Sequence, residues 1–177
     1  DSLNAAILGP DAAPGTPTFD LFVKEVHREM TVKCGQKCTA IRRIIVPEKW
    51  VEDVQLALSA RLAKTVIGDP QQEGVRMGAL ANKQQQEEVR KRVAILQQDA
   101  EIVYGDPAKV DITGGNPEKG AFFSPVVFLN SDPFRKKNTH EVEAFGPVST
   151  IMPYGDLPEA IELANMGKGS LVSTVAT

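Results

Sequence analysis

The chain has two thiols, Cys34 and Cys38, in the stretch "KCGQKCTAIRRIIVP" (33–47). Their spacing admits several chemistries. A disulfide between them would close a very short loop and gain little from loop entropy. Two cysteines in 177 residues also point to a reducing compartment, where such a bridge rarely persists. A zinc site needs about four nitrogen or sulfur ligands. The chain offers only two histidines, His27 and His140, with no C-x-x-C or H-x-x-x-H spacing, so no metal is expected. A Cys–His dyad needs only spatial proximity, but His27 stands among Lys24, Arg28 and Glu29 and reads as a solvated helix residue. His140, in the polar stretch "KKNTHEVE", reads as having no special role. Free cysteine is often buried and inert, and that is the expectation for Cys34. Cys38 differs in its surroundings. Gly35-Gln36 lets the backbone turn and leaves space, and Arg42 and Arg43 follow. Positive charge lowers a thiol pKa from about 8.5 and raises the thiolate fraction. Cys38 is therefore a candidate nucleophile, with an inert core thiol as the alternative.

Elements that could position such a thiol alternate along the chain. "NAAIL" (4–8), "RRIIVP" (42–47), "EIVYG" (101–105), "AFFSPVVFLN" (121–130), "VSTIMPYG" (148–155) and "SLVSTVAT" (170–177) read as strands or extended segments. Phe19, Phe22, Val23, Val26 and Met30 recur at helical spacing after Thr18, a candidate cap. Val51, Val54, Leu58, Leu62 and Val66 mark an amphipathic helix over 48–66, and 83–100 reads as a second long helix. "DLPEAIELANMG" (156–167) carries an N-cap Asp156, an early Pro158 and a terminal Gly167. Strands alternating with helices predict an α/β fold with a largely parallel sheet flanked by helices.

The length fits one domain able to bury a core. The net charge of −3 gives no electrostatic reason to expect nucleic acid. The basic runs at 90–92 and 135–137 are isolated and read as solvated faces. No apolar stretch approaches the ~20 residues of a membrane span, and no secretory signal pattern opens the chain. The expected location is cytoplasmic. The ends, "DSLNAAIL" and "SLVSTVAT", look like strands cut close to their edges, as in a fragment of a longer protein.

"GQKCTAIRRIIVP" resembles the nucleophile segment of the aldehyde dehydrogenase superfamily, G-Q-x-C followed by a strand. Further blocks follow in the family's order: "GDP" (68–70) with "MGAL" (77–80), "GAFFSPVVF" (120–128), "EAFGPVSTIMPYGDLPEAIELAN" (143–165) and "GSLVSTVAT" (169–177). Ala79 and Val126 stand where the family commonly has Pro and Thr. "DSLN", "REMTVKCGQKCTAIRRIIVP" and "AFGPVSTIMP" are most similar to the branch that oxidises CoA-linked semialdehydes in phenylacetate and benzoyl-CoA degradation.

The resemblance implies a three-layer catalytic domain over 1–177. It implies that the Cys38 thiolate attacks an aldehyde, with the Cys38 N–H as one oxyanion donor. Glu143 would hold the ribose hydroxyls of a nicotinamide cofactor, NADP or NAD, and Phe145 would pack near its ring. The family's general base aligns two residues before Asp1, and its oxyanion Asn and cofactor-binding domain lie further upstream. No G-x-G-x-x-G between strand and helix occurs here; "TGGNPEKG" (113–120) is the nearest Gly-rich stretch. The oligomerisation segment of a homo-oligomeric parent would also lie outside 1–177. The implied polypeptide is a catalytic domain that does not turn over alone. The alternative is a catalytically silent binding or scaffold domain of the same fold.

Overall fold

The computed structural model describes all residues, Asp1–Thr177. Six apolar segments become strands: β1 (Asn4–Leu8), β2 (Ile41–Pro47), β3 (Glu101–Tyr104), β4 (Val126–Leu129), β5 (Val148–Tyr154) and β6 (Ser173–Ala176). They form one sheet in the order β3-β4-β5-β2-β1-β6. Every neighbouring pair is parallel except β3 with β4. β1 and β2 are buried along their whole length, which is why they read as unbroken apolar runs rather than alternating ones.

Helices cover both faces. α1 (Pro17–Thr31) and α2 (Val51–Ala63) pack Phe19, Phe22, Met30, Leu58 and Leu62 against Leu8, Ile44, Val46 and Ile151. On the other face α3 (Lys83–Leu96) sets Val89 and Val93 against Val126, Phe128 and Val148. Beside it, α5 (Leu157–Asn165) packs Ala160 and Leu163 against Ala5, Ile7, Ile45 and Met152. The three-layer α/β expectation holds. No helix is long and apolar enough to cross a membrane.

Local details differ from the sequence reading. The cap of α1 is Thr16, whose side chain accepts from the Phe19 N–H, because Pro17 takes the first helical position; Thr18 lies inside the helix. α1 stops at Thr31 and passes into a 3-10 turn, Val32–Gly35. α2 ends before Val66, which is exposed, and α3 ends at Leu96. Asp156 caps α5 as expected, accepting from the Glu159 N–H at 3.0 Å.

Strict alternation along β2 would put Arg42 on the same face as Ile44 and Val46, under α1 and α2. The chain avoids this with a bulge. Asn4 pairs with Ile41 and Ala5 with Arg43, so Arg42 is an extra residue on β2. A bulge of this kind re-aims one side chain and breaks the alternation. Arg43, back in register, points to the α5 face. It donates to Leu163 O at 2.6 Å, Ala164 O at 2.8 Å and Leu3 O at 2.8 Å. The α5 carbonyls belong to a helix C-terminus, whose partial negative charge suits a guanidinium. A Cβ on Gly167 would lie 2.0 Å from the Arg43 guanidinium, so the glycine after α5 makes room for it.

His140 is not a loop residue without a role. It lies in a short helix, α4 (Asn138–Glu141), and is buried. Its Nε2 is 2.8 Å from Pro133 O and its Nδ1 is 3.0 Å from Arg43 Nη1. A carbonyl only accepts, so Nε2 carries the proton and Nδ1 accepts from Arg43. Burial above all, with the Arg43 charge adding to it, pulls the imidazole from 6.5 to about 4. The unfolded chain therefore binds this proton more readily, and stability falls as pH drops from 6.5 towards 4. The melting temperature, followed by circular dichroism, is expected to fall more steeply across that window in the wild type than in His140→Gln. Parallel curves would remove His140 as the cause.

Candidate active site

The N-terminal ends of the parallel strands lie along one edge of the sheet, and the segments entering them meet there. Cys38 precedes β2, Glu143 and Phe145 precede β5, Ser2 precedes β1 and Leu171 precedes β6. All five line one cavity of about 500 Å3. The three residues singled out in the sequence, Cys38, Glu143 and Phe145, are thus brought together. The two histidines are not. His27 Nε2 is 2.7 Å from Thr65 Oγ1, facing the end of α2, and neither histidine lines the cavity. The structure leaves no Cys–His dyad and holds no group of three or more His, Cys, Asp or Glu side chains placed to bind a metal.

The two cysteines have opposite environments. Cys34 is fully buried, packed in the cluster with Met77, Leu80 and Val89. Burial pushes its thiol up to about 12. Cys38 is exposed, and its backbone N–H makes no hydrogen bond within the chain. Its carbonyl is fixed instead: Asn4 Nδ2 donates to Cys38 O at 2.9 Å and to Ala40 O at 2.8 Å. The Asn4 Oδ1 accepts from Ser2 Oγ, Leu171 N and Val172 N. One buried amide therefore joins the turn at Cys38, β1 and the entry to β6. In the sequence Asn4 is one residue of a buried strand, although a polar residue at the mouth of an apolar run is a signal.

The turn before Cys38 is wound left-handed. Lys33 and Cys34 have φ of 54° each and Gly35 has φ of 69°. Gly35 does not leave space; it permits contact, since a Cβ there would lie 2.2 Å from Gly146 O. Gln36 accepts from the Ala81 N–H at 2.8 Å and so holds the turn to the segment entering α3.

The arginines do not act as a cationic cluster beside the thiol. Arg43 faces α5. Arg42 is 4% exposed and donates from Nε to Glu143 Oε1 at 3.1 Å, from Nη1 to Gly146 O at 2.6 Å and from Nη2 to Gly35 O at 2.8 Å. Its guanidinium also lies 5.4 Å from the Phe145 ring centroid. Burial pulls Arg42 below its ordinary value, and Glu143 opposes that shift. The other Glu143 oxygen accepts from the Ser2 N–H at 2.8 Å. A carboxylate has about four acceptor positions, so each oxygen keeps capacity to spare on the cavity side.

The far wall of the cavity is a stripe of α3: Gln85, Glu88, Val89 and Arg92. This i, i+3, i+4, i+7 spacing lies on one helix face. Gln85 Nε2 donates to Phe145 O at 3.2 Å. The helix is legible in the sequence, but no motif there marks its polar stripe as part of a site.

The model of the aldehyde dehydrogenase family matches residues 4–177. The chain belongs to that family. Among curated relatives, 3,4-dehydroadipyl-CoA semialdehyde dehydrogenase of Aromatoleum evansii is 46% identical over 175 residues, which is 99% of this chain and 34% of that protein. Among solved structures, a betaine aldehyde dehydrogenase variant of Staphylococcus aureus with NAD+ superposes with a TM-score of 0.84 at 26% identity, covering 99% of this chain and 33% of that one. A cysteine-to-alanine variant of aldehyde dehydrogenase C of Pseudomonas syringae, in complex with NAD+ and octanal, gives 0.80 at 29% identity, covering 93% and 32%. Succinic semialdehyde dehydrogenase of Streptococcus pyogenes, with NADP+, gives 0.82 at 25% identity, covering 99% and 36%. The chain thus spans about a third of the aldehyde dehydrogenases it matches.

Iodoacetamide on the native aldehyde dehydrogenase chain at pH 8 should label Cys38 and spare Cys34, which is fully buried and whose thiol burial pushes up to about 12. Both should label after denaturation; equal native labelling, read by peptide mass spectrometry, would contradict the burial argument. Gly35→Ala should lower stability by about 2 kcal/mol or more, because it combines left-handed strain with a backbone clash. A urea midpoint unchanged from wild type would show that the turn can rearrange.

Proposed function

We propose that this chain is the catalytic domain of an NAD(P)-dependent aldehyde dehydrogenase, with Cys38 as nucleophile. The observation that carries the reading is one cavity shared by an exposed Cys38 thiol, the Glu143 carboxylate and Phe145. In the first step the Cys38 thiolate adds to the aldehyde carbon, forming a C–S bond and a tetrahedral oxyanion. The free Cys38 N–H is available to that oxyanion, and preorganised donors at developing charge contribute strongly to rate. A nicotinamide cofactor, held at Glu143 and Phe145, would supply the acceptor for the hydride lost from the thiohemiacetal carbon. Collapse of the oxyanion then leaves a thioester on Cys38. Water adds to it, the C–S bond breaks, and the acid and the thiolate are released with one proton. Covalent catalysis divides oxidation from hydrolysis.

The residues present fit the ribose end of such a cofactor. Glu143 is held at both oxygens, by Arg42 and by the Ser2 N–H, and retains acceptor capacity for two ribose hydroxyls. Phe145 lines the same cavity, where a flat ring can pack on a nicotinamide.

The substrate is a CoA-linked semialdehyde of the kind formed when an activated aromatic ring is opened, as in phenylacetate degradation. The relative from Aromatoleum evansii, named for a CoA semialdehyde, supports that class. The complete protein supplies the rest of the cofactor site and the base that activates water, and works as a homo-oligomer in the cytoplasm. The 177-residue chain alone is inactive.

In the complete protein Cys38→Ala should reduce aldehyde oxidation by about 10⁴-fold or more, as loss of a nucleophile does. NAD(P)+ affinity should be unchanged, and no acyl adduct should appear by intact-mass spectrometry. Turnover retained in that variant would reject the assignment.

A further inference from the structure

Arg42 sits outside the proposed chemistry, yet its side chain joins the turn before Cys38 to the segment that carries Glu143 and Phe145. It is the extra residue of the β2 bulge, so its direction is not that of its strand neighbours. Its guanidinium reaches backwards to Gly35 O at 2.8 Å and Lys37 O at 3.4 Å, in the turn that leads into Cys38. It reaches across to Gly146 O at 2.6 Å and Glu143 Oε1 at 3.1 Å, in the segment that leads into β5. It also lies over the Phe145 ring. The Arg42 and Glu143 side chains are 4% and 6% exposed, so water competes little for this pair. A planar fork with five donors can hold such a set in fixed directions, whereas an ammonium cannot.

We propose that Arg42 is a positioning residue for cofactor binding. It fixes the Glu143 carboxylate and the Phe145 loop against the nucleophile turn, and so sets where a nicotinamide ribose is held relative to Cys38. The inference rests on the reading that Glu143 takes the ribose hydroxyls. Arg42 touches neither cofactor nor substrate; it acts through Glu143.

The test uses the complete protein and three variants: Arg42→Lys, Glu143→Gln and the double variant Arg42→Gln/Glu143→Gln. The double variant removes both buried charges together and avoids leaving one unpaired, which is the costly case. It keeps the test open if Arg42→Lys does not fold. NAD+ and NADP+ are each titrated calorimetrically without aldehyde, and Cys38 alkylation and melting are recorded for each protein. Arg42→Lys is expected to weaken cofactor binding by about tenfold, the scale of one lost charge-assisted contact. Its Cys38 alkylation rate without cofactor should stay within about twofold of wild type, a margin of roughly 0.4 kcal/mol. The double variant should bind no more weakly than Glu143→Gln alone, because the two residues act through one contact.

Unchanged binding in Arg42→Lys beside weakened binding in Glu143→Gln would overturn the Arg42 inference alone. A double variant about tenfold weaker than Glu143→Gln would also overturn it, since Arg42 would then act independently. Unchanged binding in Glu143→Gln would reject the ribose reading itself, and the Arg42 inference with it.

Discussion

A guanidinium buried to 4% exposure constrains everything around it. Each of its N–H groups that meets no acceptor costs desolvation energy, and its charge needs an opposite charge nearby. Arg42 meets this demand with three backbone carbonyls and one carboxylate. Those acceptors belong to two segments far apart in sequence, 35–37 and 143–146. Their relative position follows from what one rigid fork can reach. Gly35 and Gly146 are glycines at the point of closest approach, and the left-handed turn at 33–35 brings the Gly35 carbonyl into range. The clamp explains local features that would otherwise look independent.

The site lies at the N-terminal edge of the parallel strands. In open α/β sheets ligands commonly sit at the carboxyl ends. Here the carboxyl ends of β2 and β5 lead directly into the first turns of helices, and the cleft beside them is lined by Pro10, Pro47 and Tyr154. Tyr154 donates to Leu8 O at 2.6 Å, tying β5 to β1 there. The opposite edge is where four chain segments enter β1, β2, β5 and β6 together. Parallel pairing alone aligns those entries, so residues near positions 2, 38, 143 and 171 converge without any contact between them being encoded locally.

Much of this was legible in the sequence. Buried parallel strands announce themselves as short apolar runs, and "NAAIL" became β1 with the bounds its residues suggested. α5 was legible from Asp156, Pro158 and Gly167 because caps are local chemistry. The resemblance, carried by ordered blocks, brought out Cys38, Glu143 and Phe145, and all three line one cavity. What the sequence hid was non-local. Nothing in "AIRRIIVP" marks Arg42 as the bulged residue; the bulge exists because a charge cannot face the α1–α2 core. Arg42 and Arg43 read as one cationic patch near the thiol, but register turns them to different partners. His140 read as a loop residue without a role because its neighbours are polar, while it is buried and paired with Arg43, 97 positions away. The hairpin partner of β3 lies beyond a long turn-rich loop, so its antiparallel pairing left no local trace.

The pair of cysteines shows how environment divides one residue type between two tasks. Cys34 occupies a left-handed conformation that costs a non-glycine residue roughly 1–3 kcal/mol. That cost is sustained only if something holds the residue there, and complete burial among Met77, Leu80 and Val89 does so. Its inert thiol is a consequence of the same burial. Cys38, four residues on, has left the core, and its side chain is free because its backbone is not: Asn4 holds its carbonyl, Gln36 and Arg42 hold the turn before it. Exposure without such restraint would give a mobile thiol with no fixed approach to a carbonyl carbon. The anchoring of Cys34 and the hold of Asn4 on the Cys38 carbonyl are therefore prior to any chemistry at Cys38, since they convert an exposed residue into an oriented one.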